Sequence, residues 1–208
     1  MPLPPPTPTL ERFLDRCRVR RYPAGTTIIY QGDHPDTLYH VLSGSVAVLQ
    51  EDEEGRSLVL AYLNRGDFFG ELGLFQHEQG RSAWIRTRSE CELAEMSYAE
   101  FRRLGSEDPE ILFLLASQMA VRLRATSSKA GDLAFLDVSG RVARTLLELA
   151  AQPDAMTHPD GMQVRITRQE LGRIVGCSRE MVGRVLKEMA LQGLIATEGR
   201  AIVVFGTR

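Results

Sequence analysis

Hydrophobic and polar residues alternate in short runs along the first half of the chain. The runs are rich in β-branched and aromatic side chains, and glycines such as Gly25, Gly44 and Gly66 separate them. Short alternating runs between glycine turns are typical of antiparallel strands. The pattern therefore predicts a small antiparallel β-roll of the jelly-roll kind. After a short helix at 10–16, we expect its strands at 26–30, 38–42, 45–49, 58–62 and 89–96.

From Pro109 onward the apolar period lengthens from two to about three and a half residues. The repeating positions are spaced alternately four and three apart, at Leu112, Ala116, Met119, Leu123, Thr126, Ala130 and Leu133. This spacing predicts one long helix, which either packs on the roll as a core helix or pairs with a second copy in a coiled coil. The hydroxyls of Thr126 and Ser127 favour the coiled coil, with a polar group bound there, because an unpaired hydroxyl in an apolar seam costs free energy.

Beyond Asp137 the pattern predicts a helix at 140–151, a Pro/Asp loop at 152–161 and a strand at 163–166. Thr167 and Glu170 then form a capping box, which starts a new helix. Gly176 lies where a tight turn requires a positive φ, and Ser178 caps a second helix. Two strands at 194–197 and 201–205 follow. This order predicts a winged helix-turn-helix.

One face of the second helix of that motif is charged, with Arg179, Glu180, Arg184 and Lys187 on it. Such a face is either solvated or the surface that enters the DNA major groove. A carboxylate near a polyanion repels phosphate unless it accepts from a cytosine, so Glu180 favours base recognition. The predicted DNA contacts are Arg168, Gln169, Ser178, Arg179, Glu180, Gly183, Arg184, Lys187 and Arg200.

The roll also contains candidate ligand-binding residues, in the segment Gly70–Gly73 and in the Arg81–Ser82 pair that follows. Glycines allow an anion to approach the backbone, and Arg81 offers a forked cation. Glu71 suits a sugar hydroxyl rather than a phosphate. By themselves these residues are equally compatible with a β-turn beside a surface salt bridge.

The run GDFFGELGLF at 66–75 and the run RSAW at 81–84 resemble the phosphate-binding cassette of the cyclic AMP receptor protein family. The resemblance continues through AFLDV at 134–138, PDAMTHPDGM at 153–162, IVGCSRE at 174–180 and the terminal FGTR. It is closest to the gammaproteobacterial type. The resemblance implies a cyclic AMP-dependent transcription activator that binds near-palindromic double-stranded DNA as a homodimer, with half-sites resembling TGTGA.

The resemblance also implies roles for particular residues. Cyclic AMP would bind with Arg81 and Ser82 on its phosphate and with Thr126 and the partner's Ser127 on its adenine. The remaining implied ligand contacts are Gly70 and Glu71, on the ribose side, and Leu72. A hinge would lie at Phe135, Leu136 and Asp137.

The loop Thr157, His158, Pro159, Asp160 and Gly161 would contact the C-terminal domain of the RNA polymerase alpha subunit. The acidic run 51–54 is either a solvated hairpin tip or a contact for the sigma factor. Glu100 stands where relatives use a basic residue for a second polymerase contact.

Composition excludes several other classes of protein. The chain has 208 residues, of which 43% are hydrophobic and 25% charged, and its apolar runs are too short to span a membrane. Cys17, Cys91 and Cys177 are far apart, which fits a reducing cytoplasm and no iron–sulfur cluster. The four histidines lack the spacing of a metal-dependent cupin, so we expect no metal and no enzymatic activity. Two rivals of the same fold remain, a regulator gated by cyclic di-GMP and one that needs no ligand. The intact Arg81–Ser82 pair argues against the first.

The net charge of −2 conceals an asymmetry between the halves of the chain. Up to Asp137 there are 15 Lys and Arg against 20 Asp and Glu, and after it 10 against 7. A basic C-terminal part suits DNA, whereas an acidic N-terminal part does not bind DNA indiscriminately. The expected fold is α+β, with a disordered Pro-rich tail at 1–9, a nucleotide-binding roll at 10–108, a dimerisation helix and hinge at 109–137, and a winged helix-turn-helix at 138–208.

Overall fold

The computed structural model describes residues 7–52, 54, 57–75, 80–152 and 155–207. The chain divides into two compact units, Met1–Thr126 and Ser127–Arg208. The first unit is built from α1 (Pro8–Leu14), β1 (Arg18–Tyr22), β2 (Thr27–Ile29), β3 (Thr37–Ser43), β4 (Ser45–Glu51), β5 (Ser57–Asn64), β6 (Phe68–Phe69), α2 (Leu72–Phe75), β7 (Trp84–Thr87), β8 (Cys91–Ser97), α3 (Tyr98–Glu107) and the first part of α4 (Glu110–Phe135).

Two antiparallel four-stranded sheets form the predicted roll. Their strand orders are β1-β8-β3-β6 and β2-β7-β4-β5. One core cluster joins both sheets, through residues such as Val41 and Phe69 from the first and Val46 and Ile85 from the second. The other cluster packs the first sheet against α1, α3 and the start of α4, around the fully buried Phe68. Strands β3, β6 and β8 of the first sheet are therefore buried on both faces, whereas β1 at its edge is largely exposed.

Several elements of the roll were not expected from the sequence pattern. β1 contains three exposed arginines, so its sequence lacks the apolar alternation typical of a strand, and among the described strands it pairs with β8 alone. The short strands β6 and β7 and the helix α3, capped by Ser97, were also missed. Helix α1 begins at Pro8 with Thr7 as its N-cap, which shortens the tail expected at 1–9. Residues 1–6 of that tail lie outside the described residues.

Helix α4 has 26 residues, but only Ile111 and Leu115, in its first two turns, are buried. Further along, Leu123 is 69% exposed and Leu133 47% exposed, and both lie at the expected seam positions. A core helix would bury its apolar stripe. The exposure therefore favours a seam for a second helix over packing on the roll.

The second unit contains the end of α4 and a small domain of three helices and one sheet. Its elements are α5 (Val138–Ala150), β9 (Met156–His158), β10 (Gly161–Arg165), α6 (Arg168–Val175), α7 (Arg179–Leu191), β11 (Ile195–Glu198) and β12 (Ala201–Phe205), with sheet order β11-β12-β10-β9. The segment 152–161 was expected to be a loop, yet Met156–His158 pairs with β10 as a strand. Helix α4 ends at Phe135, and Asp137 caps α5 by accepting from the Gly140 N–H at 2.7 Å.

The α+β fold predicted from the sequence is confirmed. None of the described helices combines the length and the apolar character needed to cross a membrane.

Candidate ligand-binding and DNA-binding sites

A cavity of about 550 Å³ opens into the roll unit, a size typical of small-molecule sites. Its walls combine apolar side chains of both sheets with the polar residues singled out in the sequence. The lining residues that were predicted to bind ligand are Gly70, Glu71, Leu72, Arg81, Ser82 and Thr126. The fold thus brings six of the seven candidates to one cavity. Ser127, the seventh, is the first residue of the second unit and is exposed.

The guanidinium of Arg81 is buried at the cavity wall, with 9% of the residue exposed. It donates to the carbonyls of Gly70 at 3.0 Å and Thr37 at 2.9 Å, and to the Tyr98 hydroxyl at 2.9 Å. A guanidinium has five N–H donors in a rigid fork, so it can bind a phosphate oxygen while these contacts hold its orientation. Gly70 has a φ of +77°, and a Cβ there would lie 2.8 Å from the Arg81 fork. Only glycine leaves room for this arrangement.

Glu71 faces an arginine that was not predicted from the sequence. Arg122 on α4 donates to the Glu71 carboxylate at 3.4 Å and also lines the cavity. Arg122 lies four residues before Thr126, so the two share a helix face, and this spacing is the signal that could have found it. Tyr98 was missed as well, because nothing in its local sequence indicates contact with Arg81.

The helix-turn-helix has the local geometry expected from its sequence. Thr167 accepts from the Glu170 N–H at 3.1 Å, and Ser178 accepts from the Met181 N–H at 3.2 Å. Gly176 ends α6 with a φ of +74°, in the left-handed region. A Cβ at Gly172 would lie 2.7 Å from the Cys177 carbonyl, so the turn requires glycine there too.

The predicted DNA contacts on α7 form an exposed surface. Arg179, Glu180, Arg184 and Lys187 are all exposed. Hydrogen bonds from its own backbone N–H and from the Ser178 hydroxyl lower the pKa of Glu180, with a smaller contribution from Arg179 and Arg184. The side chain is therefore an anion that can accept from a base.

The other predicted DNA contacts lie beside this helix or on the wing. The Arg168 side chain approaches Gly183, where a Cβ would lie 3.6 Å from its guanidinium. Gln169 is exposed in the first turn of α6. Arg200 is exposed at the tip of the β11–β12 hairpin, and its carbonyl accepts from the Ile166 N–H at 3.0 Å.

The segment expected to contact polymerase is the tip of the β9–β10 hairpin. Pro159 and Asp160 form its turn, and the Asp160 N–H donates to Nδ1 of His158 at 3.3 Å. Thr157 is exposed, whereas Gly161 is buried against the Val204 carbonyl in a position with no room for a Cβ. Within the described part of the chain, no three His, Cys, Asp or Glu side chains cluster so as to hold a metal ion.

Two sequence families match the chain. The cyclic nucleotide-binding domain matches residues 19–108, and the Crp-like helix-turn-helix domain matches residues 140–205. Together with the cavity and the exposed helix, they define a DNA-binding regulator with a nucleotide-sensing domain. The cAMP-activated global transcriptional regulator Vfr of Pseudomonas aeruginosa is 63% identical over 202 residues, which cover 96% of this chain and 94% of Vfr. The cAMP-activated global transcriptional regulator CRP of Salmonella typhimurium is 60% identical over 205 residues, 99% of this chain and 98% of CRP.

The chain belongs to the CRP family of transcriptional regulators, as its sequence motifs predicted. These relatives are regulators and not enzymes. Among solved structures, the c-di-GMP responsive global regulator CLP of Xanthomonas campestris matches with a TM-score of 0.90 and 47% identity, over 96% of this chain and 99% of CLP.

Proposed function

We propose that the protein is a cyclic AMP-dependent global transcription regulator, which binds near-palindromic promoter DNA as a homodimer and recruits RNA polymerase in the cytoplasm. The observation that carries this proposal is the cavity that gathers Arg81, Ser82, Glu71 and Thr126 in one place. These groups match, in kind and order, the phosphate, ribose and base of a cyclic nucleotide.

Each part of cyclic AMP has a partner in the cavity. The Arg81 fork and the Ser82 hydroxyl bind the cyclic phosphate, while Gly70 and Glu71 lie on the ribose side. Glu71 accepts from the ribose hydroxyl, and its pairing with Arg122 at 3.4 Å orients the carboxylate. Thr126 binds the adenine from α4, and Ser127 of the partner subunit closes the site. Because adenine meets both copies of α4, ligand binding and dimer geometry are coupled.

The exposed stripe of α4 supports the homodimer. Leu112, Leu123 and Leu133 are 42%, 69% and 47% exposed in a single chain. Their alternating spacing fits a coiled coil, in which each side chain packs against the partner helix. This arrangement places the two ligand sites next to the dimer axis.

DNA recognition falls to α7 and the wing. Arg179, Glu180 and Arg184 read base edges, with Gly183 allowing close approach to the groove. The remaining contacts hold the phosphate backbone; they are Arg168, Gln169, Ser178, Lys187 and Arg200. The break between α4 and α5, at Leu136 and Asp137 after Phe135, serves as a hinge. Cyclic AMP shifts the hinge equilibrium toward the state in which both recognition helices fit successive major grooves.

Activation uses the β9–β10 hairpin tip, Thr157–Gly161, as the contact for the C-terminal domain of the polymerase alpha subunit. Its exposure at Thr157, Pro159 and Asp160 supports this role. The acidic run at 51–54, of which the structure describes residues 51, 52 and 54, is either a solvated hairpin tip or a contact for the sigma factor.

Calorimetry with cyclic AMP, cyclic GMP and cyclic di-GMP, paired with operator binding, tests the proposal. We expect micromolar or tighter binding of cyclic AMP and an operator affinity raised at least ~10-fold. An operator affinity that is indifferent to cyclic AMP would overturn it. The similarity to CLP makes cyclic di-GMP the alternative ligand. Gating by that ligand alone would support the alternative.

A further inference from the structure

The outer edge of β6 is closed by side chains of a helix rather than by another strand. Among the described strands, β6 is the last of its sheet and pairs with β3 alone, through Phe69 with Tyr39 and Phe68 with His40. An edge strand leaves backbone N–H and C=O groups that need partners. Here Gln118 and Arg122 of α4 supply them.

Gln118 bonds the backbone on both sides of Asp67. The Phe68 N–H donates to its side-chain oxygen at 2.9 Å, and its side-chain amide donates to the Gly66 carbonyl at 2.9 Å. An amide that accepts and donates in this way imitates the pairing of a neighbouring strand. We call this pair of bonds the Gln118 clamp.

Arg122, four residues further along α4, adds to the same attachment. It donates to the Phe68 carbonyl and to the Gln118 side-chain oxygen. Residues four apart share a helix face, so both side chains reach the same strand. Both polar backbone groups of Phe68 are therefore held by α4.

The position of the clamp connects two parts of the proposed mechanism. Phe68 is fully buried and lies two residues before Gly70, whose carbonyl holds Arg81. Gln118 lies eight residues before Thr126 on one uninterrupted helix. The ligand-binding segment and the dimerisation helix are thus joined through rigid, packed elements, which can transmit a change in position.

We propose that Gln118 is a positioning residue that couples cyclic AMP binding to DNA affinity by fastening the ligand-binding segment to α4. Gln118 is not among the residues that line the cavity, and it lies outside the helix-turn-helix domain. This inference rests on the proposed cyclic AMP gating. Without the Gln118 clamp, cyclic AMP still binds Arg81, Ser82 and Glu71, but ligand binding shifts α4 less.

Gln118→Met in the full-length protein tests the proposal, because it keeps the length of the side chain and removes both hydrogen bonds. Ser117→Met places the same side chain one residue away, at an exposed position, and is the matched control. Two quantities are measured for each variant. Calorimetry gives the affinity for cyclic AMP, and titration of operator DNA gives the ratio of its affinities with and without saturating cyclic AMP.

We expect Gln118→Met to keep its cyclic AMP affinity within ~3-fold while the ratio falls ~3-fold or more, within the range that residues between two coupled sites produce. Ser117→Met should match the wild type in both. An unchanged ratio in Gln118→Met, or an equal loss of DNA affinity with and without ligand, would show that the clamp is only structural. If cyclic AMP does not change the operator affinity of the wild type, both the proposed function and the coupling are overturned. If cyclic AMP raises the operator affinity of the wild type and of Gln118→Met by the same factor, only the coupling is overturned.

If Gln118→Met does not fold, Gln118→Glu decides the question. Glutamate keeps an oxygen for the Phe68 N–H, replaces the donor to Gly66 by an acceptor, and adds a negative charge beside Arg122. We then expect a smaller loss in the ratio, and a ratio equal to that of the wild type would again count against the clamp.

Discussion

Arg81 and Tyr98 share one acceptor, since the guanidinium and the phenol both donate to the Gly70 carbonyl, and the guanidinium also donates to the phenol oxygen. Burial raises the pKa of Tyr98, although the nearby Arg81 opposes this, so the phenol keeps its proton and remains a donor. The pair fixes the direction in which the Arg81 fork points. An arginine held in one orientation loses less entropy when it binds a phosphate.

Tyr98→Phe should therefore weaken cyclic AMP binding without abolishing it. Loss of one hydrogen-bonding hydroxyl costs about 0.5–1.5 kcal/mol, or roughly 2–13-fold in affinity. Arg81→Leu, which removes the cation itself, should be far worse. Calorimetry measures both, with Tyr30→Phe, at an exposed tyrosine, as the control. Equal affinities for Tyr98→Phe and Tyr30→Phe would show that Tyr98 does not orient Arg81.

Replacing a base-reading residue should lower DNA affinity by an amount that depends on the DNA sequence. Replacing a phosphate-binding residue should lower it equally on every sequence. Arg179→Ala or Arg184→Ala should cost ~1–3 kcal/mol and relax specificity at one base pair. Arg168→Ala should instead weaken binding to all sequences and reduce the salt slope by ~1. Binding to an operator series at several salt concentrations separates them. Arg173→Ala, at another exposed arginine, should change neither the operator specificity nor the salt slope. An equal loss of affinity for every operator in Arg179→Ala would show that Arg179 contacts phosphate and not a base.

The exposed seam of α4 predicts how the oligomeric state responds to a charge. Leu123→Asp places a carboxylate where the two helices should meet, and a buried unpaired charge is strongly unfavourable. We expect the dimer to dissociate, as measured by analytical ultracentrifugation. Ser117→Asp on the outer face should leave the dimer intact. A dimer that survives Leu123→Asp would place the interface elsewhere.

His40 should make the roll sensitive to acid. It is 4% exposed between the rings of Phe13 and Phe68, and burial lowers its pKa to about 4, opposed by the Gly66 backbone. Below pH 6.5 His40 is protonated in the unfolded chain, whereas in the folded chain it stays neutral until the pH approaches 4. The contribution of neutral His40 to the free energy of unfolding is therefore fully present above pH 6.5. It is lost as the pH falls toward 4, by about 2 kcal/mol at pH 5.

Urea unfolding between pH 7 and pH 5 measures this loss. His40→Leu cannot titrate, so it should lose this part of the pH dependence whatever its stability at pH 7. His34→Leu, at an exposed histidine, should keep it. An unchanged pH dependence in His40→Leu would assign the effect to other groups.

The hairpin at Thr157–Gly161 should affect transcription but not DNA binding. Thr157→Ala and Asp160→Ala leave the buried Gly161 in place, so the hairpin should keep its fold. We expect operator affinity to equal that of the wild type while activated transcription with purified polymerase falls severalfold. A parallel loss of operator affinity would argue against a polymerase contact.

The helix-turn-helix was predictable because its signals are local. A capping residue acts on an amide three positions away, as Thr167 does on Glu170, and Gly176 is needed wherever the backbone turns left-handed. The exposed apolar stripe of α4 follows the predicted spacing in the same way, since that spacing is a property of one helix. By contrast, β1 carries an arginine-rich sequence and is a strand only because β8 pairs with it. The strand Met156–His158 likewise depends on its pairing with β10.

The order of the domains, the family motifs and the residue types that suit a cyclic nucleotide and DNA are evident in the sequence, because they follow from local spacing and side-chain chemistry. Which distant groups meet depends on the folded structure. It brought Tyr98 to Arg81, Arg122 to Glu71 and Gln118 to the edge of β6. Such contacts are set by how sheets and helices pack, since residues far apart along the chain carry no local signal of their partners.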